Sequence, residues 1–134
     1  MKLVTAGLLI IENRKLLFAY SKNKKCFYLP GGKVDSGETP LQALRREIKE
    51  ELDVTLSDGD LEYYAHITAP AYGENDGIMM EQDCFFIKRK IEPNANAEIS
   101  ELKYFSLQEY LGEANRAPGA VKILELLKER GQID

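Results

Sequence analysis

Residues Gly32–Val54, GKVDSGETPLQALRREIKEELDV, decide how this chain is read. Thr39-Pro40-Leu41-Gln42 fits a capping box, in which the threonine hydroxyl accepts the amide of the third helical residue and the glutamine side chain reaches back. Proline suits the first turn, where its missing N–H would have had no partner. The pattern predicts a helix beginning near Pro40. Leu41, Leu44, Ile48 and Leu52 then recur at helical spacing, which places all four on one apolar stripe facing a core.

Glu47 and Glu51 fall roughly 60 to 100° to one side of that stripe, with Glu50 further round toward solvent, so the three carboxylates can converge at the edge of the buried face. Arg45, Arg46 and Lys49 are close in sequence, and a solvated, salt-bridged helix surface is the plain alternative. Two local rules argue against it. Glu47 and Glu51 are a like-charged pair four residues apart, which is unfavourable. Glu50 and Glu51 also stand in the last turn, where the helix dipole favours cations. Broken local rules tend to mark functional sites, and clustered carboxylates suit a hard divalent cation that also holds substrate phosphates. Ahead of the helix, Leu29-Pro30-Gly31-Gly32-Lys33 ends an apolar run, and paired glycines permit a close backbone approach to a ligand or a simple strand-to-helix turn.

The segment resembles the signature of the Nudix hydrolases, G-x5-E-x7-R-E-U-x-E-E-x-G-U with U a bulky aliphatic residue. Gly32, Glu38, Arg46, Glu47, Ile48, Glu50, Glu51 and Val54 satisfy eight of its nine specified positions. At ordinary residue usage such agreement arises by chance at fewer than about one in 10^7 start positions. Asp53 stands where the pattern has glycine. A left-handed helix end there is tolerable for aspartate, so the helix is expected to close in the usual way.

What the resemblance implies is an α/β protein, a Nudix-type α/β/α sandwich with a mixed β-sheet between helices, spanning residues 1–134 as one domain. It implies that the Gly31 carbonyl and Glu47, Glu50 and Glu51 bind Mg2+ or Mn2+, while Arg46 and Glu38 tie loop to helix and Arg46 orients a catalytic glutamate. It further implies attack of water on phosphorus in a nucleoside diphosphate linked to another group. The expected substrate is a nucleoside triphosphate, giving a monophosphate and pyrophosphate. The alternatives are an ADP-ribose or nucleotide-sugar pyrophosphatase, or a non-catalytic nucleotide sensor of the same fold. Some relatives use a ligating glutamate of the signature helix, here Glu47, Glu50 or Glu51, as general base, and others a glutamate of a distal loop, for which Glu98, Glu101 and Glu81 are the candidates, with Glu98 preferred. Dimers are common in the family, so a homodimer is left open.

The remaining sequence sets bounds. A chain of 134 residues is large enough to bury its own core. It has no long apolar span, leader or low-complexity linker, which leads to the expectation of a soluble cytoplasmic protein with no membrane partner. Net charge −4 without a basic cluster argues against duplex nucleic acid. Cys26 and Cys84, far apart and each beside aromatic residues, read as buried free thiols. Strands are expected over Leu3–Ile11, Lys15–Tyr20, Cys26–Leu29, Leu61–Thr68, Ile78–Lys88 and Leu102–Phe105. A short helix capped by Ser106 and a terminal amphipathic helix ending at Gly131 follow. Tyr28, Tyr63, Tyr64, His66, Tyr72 and Asn115 are candidate contacts for a base, Tyr28 and Asn115 foremost. Lys22, Lys24 and Lys25 are candidates to meet phosphates.

Overall fold

The computed structural model describes residues 2–74 and 77–134. In chain order the elements are β1 (Lys2–Leu9), β2 (Ile11–Glu12), β3 (Lys15–Ser21), β4 (Cys26–Tyr28), β5 (Gly31–Lys33), α1 (Pro40–Leu52), β6 (Leu61–Pro70), β7 (Met79–Ile87), β8 (Ile99–Phe105), α2 (Leu107–Leu111) and α3 (Pro118–Glu129). A 3-10 turn at Asp58–Asp60 leads into β6. The strands form two four-stranded sheets. One runs β5-β1-β7-β6 and is mixed, because β1 and β7 are parallel while the other pairs are antiparallel. In the other, β8 lies along β3 while the short β2 and β4 also pair with β3.

The α/β class and the mixed sheet are as the sequence implies, but two details of the strand reading are corrected. The expected strand Leu3–Ile11 is two strands in different sheets, parting at Ile10, whose carbonyl accepts the Leu17 amide. Ala6 to Ile10 are all buried, and a run buried on both faces shows no alternation that would mark the crossing. Gly31–Lys33, read as loop, is a strand paired to β1 with Gly32 opposite Ala6. Glycine disfavours strands locally, and here the tertiary partner decides. Gly31 has φ +133°, and a Cβ there would run into the Ala6 carbonyl oxygen, so the pairing itself requires glycine.

Two apolar clusters hold the layers. Leu44, Ile48 and Leu52 of α1, all fully buried, pack on Ala6 and Leu8 of β1 and on Phe85. Between the sheets and α3, Phe18, Phe27 and Phe105 meet Ile67, Ile123, Leu124 and Leu127. Cys26 and Cys84 are both buried free thiols in that second cluster. Among the described residues no helix is long and apolar enough to cross a membrane.

Tyr110 of α2 is fully buried and pins the second cluster: its hydroxyl donates to the Phe27 carbonyl at 2.8 Å and accepts the Ala117 amide at 3.0 Å. Tyr110→Phe strands both backbone groups, and chemical denaturation is expected to show a loss of about 2–3 kcal/mol. An unchanged denaturation midpoint would mean that water replaces the hydroxyl.

Candidate active site

The helix α1 is built as its sequence dictates. Gln42 N donates to Thr39 Oγ1 at 3.2 Å, and Thr39 N donates to Gln42 Oε1 at 2.9 Å, which completes the capping box. At the other end Asp53 adopts φ 56°, ψ 42°, the left-handed close that glycine usually supplies, and Lys49 Nζ reaches its carboxylate at 2.9 Å. The last carbonyls of α1 would otherwise be orphaned. A distant loop satisfies them: Asn94 N donates to Leu52 O, Asn96 N to Glu51 O and Asn96 Nδ2 to Glu50 O. That loop runs directly into Glu98.

Arg46 joins helix and loop. Its guanidinium forks onto both oxygens of Glu38 at 2.9 Å each, donates to Glu47 Oε1 at 2.9 Å and to the Lys33 carbonyl at 3.1 Å. The fork holds the Glu38 carboxyl down at about 2, helped by the Asp35 amide. Glu47 is pressed against β5, where a Cβ on Gly32 would sit 2.6 Å from its carboxyl carbon. Glycine at this position therefore makes room for the carboxylate.

Glu47 and Glu51 open into a cleft of about 430 Å³ between the sheets, together with Gly31, Gly32, Lys33, Lys24, Tyr28, Tyr72 and Glu98. Glu51 Oε1 accepts the Gly31 amide at 2.9 Å. Burial nonetheless pushes its carboxyl up to about 8, and the charges of Glu47, Glu98 and the more distant Glu50 add to the rise. Glu47 is also shifted upward, again by burial, although Arg46 offsets part of this. Glu98 Oε2 accepts Ser21 Oγ at 2.9 Å and Asn23 Nδ2 at 3.1 Å, which fixes it at the cleft wall. At the same cleft Glu74 lies 3.7 Å from both Lys24 Nζ and Lys33 Nζ.

The model of the NUDIX domain matches residues 1–127. The chain belongs to the NUDIX family. Over 32 residues it is 56% identical to the 8-oxo-dGTP diphosphatase of Haemophilus influenzae, covering 24% of each chain. Over 47 residues it is 49% identical to the ADP-ribose pyrophosphatase of Methanocaldococcus jannaschii, covering 34% of this chain and 28% of that one. These alignments thus span about a quarter of the relatives' own length. The MutT NUDIX hydrolase structure from Burkholderia pseudomallei superposes with a TM-score of 0.73 at 23% identity, over 93% of this chain and 97% of that one.

Within this NUDIX fold the candidate residues separate. Glu47 and Glu51 face the cleft, but Glu50 turns outward, with its side chain 56% exposed and 3.7 Å from Arg46. Glu50 lies toward solvent, as its place on the helix implies, and shares with Glu47 the same Arg46 Nη1. Among the described residues no trio of acidic, His or Cys side chains is gathered closely enough to hold a metal. Arg46 relieves part of the repulsion between the helix carboxylates.

Of the three base candidates only Glu98 lines the cleft. Glu101 is an exposed residue of β8, and Glu81 is engaged by His66 Nε2 at 2.8 Å. Asn115 does not reach the cleft either: its Nδ2 donates to the Lys25 carbonyl at 2.9 Å, as a turn asparagine would. His66 and Tyr64 point elsewhere, His66 to Asp83 and Glu81 and Tyr64 to Gln132, while Tyr63 is exposed. Tyr28, Tyr72 and Lys24 remain at the cleft, and Lys22 and Lys25 do not. Ser21, Asn23, Asn96 and Gln82 carry no sequence signal of their own. Their positions follow from strand register and loop path.

Proposed function

We propose that residues 1–134 form one catalytic domain, a divalent-metal-dependent hydrolase that cleaves a phosphoanhydride bond in a small nucleotide. The favoured substrate is a nucleoside triphosphate, releasing a monophosphate and pyrophosphate. The observation that carries this reading is Glu51, a carboxyl held at about 8 by burial and by the Glu47 and Glu98 charges that share its cleft. The Gly31 amide compensates such a group only in part, and the hard oxygen donors of the carboxylate suit Mg2+ or Mn2+. Glu47 and Glu51 would hold the ion, with the Gly31 carbonyl and a rotated Glu50 completing the protein's share. When bound, the ion screens the diphosphate, polarises its oxygens and lowers the pKa of water.

The chain's own residues do the placing. Lys24 and Lys33, now sharing Glu74, exchange that carboxylate for substrate phosphate oxygens. Glu98 accepts a proton from the attacking water, and Ser21 and Asn23 fix its orientation. Arg46 holds Glu47 in place and Glu38 holds Arg46. The short alignment to an ADP-ribose pyrophosphatase favours a second reading, cleavage of a nucleoside diphosphate joined to a sugar.

Product-resolved hydrolysis of nucleoside triphosphates, ADP-ribose, nucleotide sugars and dinucleoside polyphosphates, with and without Mg2+, tests this. Metal-dependent release of pyrophosphate from a triphosphate is the expected result, and ADP-ribose as best substrate would select the second reading. Glu98→Gln is expected to lower kcat by about 10^2 to 10^4, the range of general-base catalysis. Full activity in that variant would remove Glu98 from the role. Nucleotide binding without turnover of any compound would make the protein a sensor.

A further inference from the structure

The cleft has a second end. Beyond the carboxylates its walls are largely apolar, formed by Leu3, Leu29, Ala71, Tyr72 and Met80. Two polar groups in these walls lack a strong partner among the described residues. Gln82 of β7 is only 8% exposed; among the described residues its Oε1 accepts only from the Cys84 thiol, at 3.8 Å, while its Nε2 pairs with none of them and keeps a solvent contact on the cleft. The Tyr28 hydroxyl is shielded from water and has no partner among the described residues. Buried amides and hydroxyls are nearly always hydrogen-bonded, because an unmade bond forfeits their hydration.

Neighbouring residues make room for this amide. Gly7 of β1 lies beneath it, and a Cβ there would stand 3.2 Å from Gln82 Cδ and Nε2. The Tyr28 and Tyr72 rings meet edge to face at 5.9 Å on the same cleft, and Lys24 Nζ lies 5.6 Å from the Tyr28 ring centre. Flat aromatic walls, apolar floor and a few convergent polar groups are the features of a site for a planar ligand with a polar edge.

We propose that Gln82 reads the edge of the substrate's nucleobase, with the Tyr28–Tyr72 wall beside the ring. A carboxamide presents a donor and an acceptor side by side, so it pairs in two bonds with any base edge that carries the opposite pair. Ribose and alkyl groups lack that planar edge. The assignment rests on the reading that the carboxylate end of the cleft takes the phosphates, which sets the base at the opposite end.

The test is calorimetric binding of AMP, GMP, CMP, UMP and ribose 5-phosphate to the intact chain, wild type beside Gln82→Leu and Gln82→Asn, with thermal melting to confirm folding. Wild type is expected to bind at least one nucleoside monophosphate about tenfold or more tightly than ribose 5-phosphate, an advantage that Gln82→Leu loses. Gln82→Asn, which keeps the amide but draws it back by one methylene, is expected to weaken the same ligand, and it decides the matter if the leucine variant fails to fold. An unchanged order and strength of binding in the Gln82 variants would overturn the proposal and make the amide a structural group served by water. Wild-type binding that is indifferent to the base would overturn it as well. The hydrolase reading fails separately: base-dependent binding lost with Gln82, in a protein that turns over no nucleotide, keeps this assignment and removes that one. Turnover whose base ranking survives Gln82→Leu does the reverse.

Discussion

Glu51→Gln is expected to abolish turnover, lowering kcat by about 10^3, and yet to raise the heat resistance of the metal-free protein above neutral pH. Both effects have one origin. Burial moves the Glu51 carboxyl from its ordinary 4.5 to about 8, the Gly31 amide pulls the other way, and the charges of Glu47, Glu98 and Glu50 raise it further. Between those two values the folded chain holds one proton more than the unfolded chain. Stability contributed by the protonated side chain is therefore complete below about 4.5 and is lost as pH rises toward about 8. Glutamine keeps an acceptor for Gly31 and never ionises. At pH 5 the two proteins should melt within about 1 °C of each other, and at pH 9 the variant should melt higher by on the order of 5 °C. Identical melting at both pH values would show that the wild-type carboxylate relaxes into water instead. Added Mg2+ should stabilise wild type increasingly over the same pH window and leave the variant nearly unaffected, since a cation must displace that proton.

Arg46→Gln is expected to cost about 10^2 in kcat and to lower the melting temperature by about 5 °C. The guanidinium is the hub between loop and helix: two bonds to Glu38, one to Glu47 and one to the Lys33 carbonyl converge on it. Glutamine cannot reproduce the fork, and Arg46→Lys should recover little, because an ammonium is a point charge without the planar geometry. The melting deficit should also depend on pH. Arg46 depresses the Glu38 carboxyl to about 2, so the pairing contributes fully above about 4.5 and fades as pH falls through about 2. Differential scanning from pH 7 to pH 2 should show the two melting curves drawing together. A constant gap would mean that Arg46 acts through the Lys33 carbonyl and Glu47 rather than through Glu38.

These two residues also mark how far the sequence could be read. The position and both ends of α1 were legible because they depend on neighbours within four residues: the Thr39 and Gln42 cap, the Leu44, Ile48 and Leu52 stripe, and the aspartate that closes the helix in glycine's place. The strand pair β6–β7 was legible for the same reason, as two apolar runs around one loop. The placement of Glu98 was not. It depends on the register of β8 against β3, with Ile99 opposite Ser21, and on the loop that caps α1 through Asn94 and Asn96. Nothing within several residues of Glu98 distinguishes it from Glu101.

By itself, then, the sequence determined the signature helix, which carboxylates it carries and the family they belong to, since periodicity, capping and motif spacing are properties of adjacent residues. Only the tertiary structure decided that Gly31–Lys33 is a strand, that Glu47 and Glu51 share a cleft with Glu98, that Asn115 serves the Lys25 carbonyl, and that the Gln82 amide stands in the cleft wall. Each of these depends on residues from separate strands meeting in space. Burial and charge repulsion at Glu51 exist only once those strands have met.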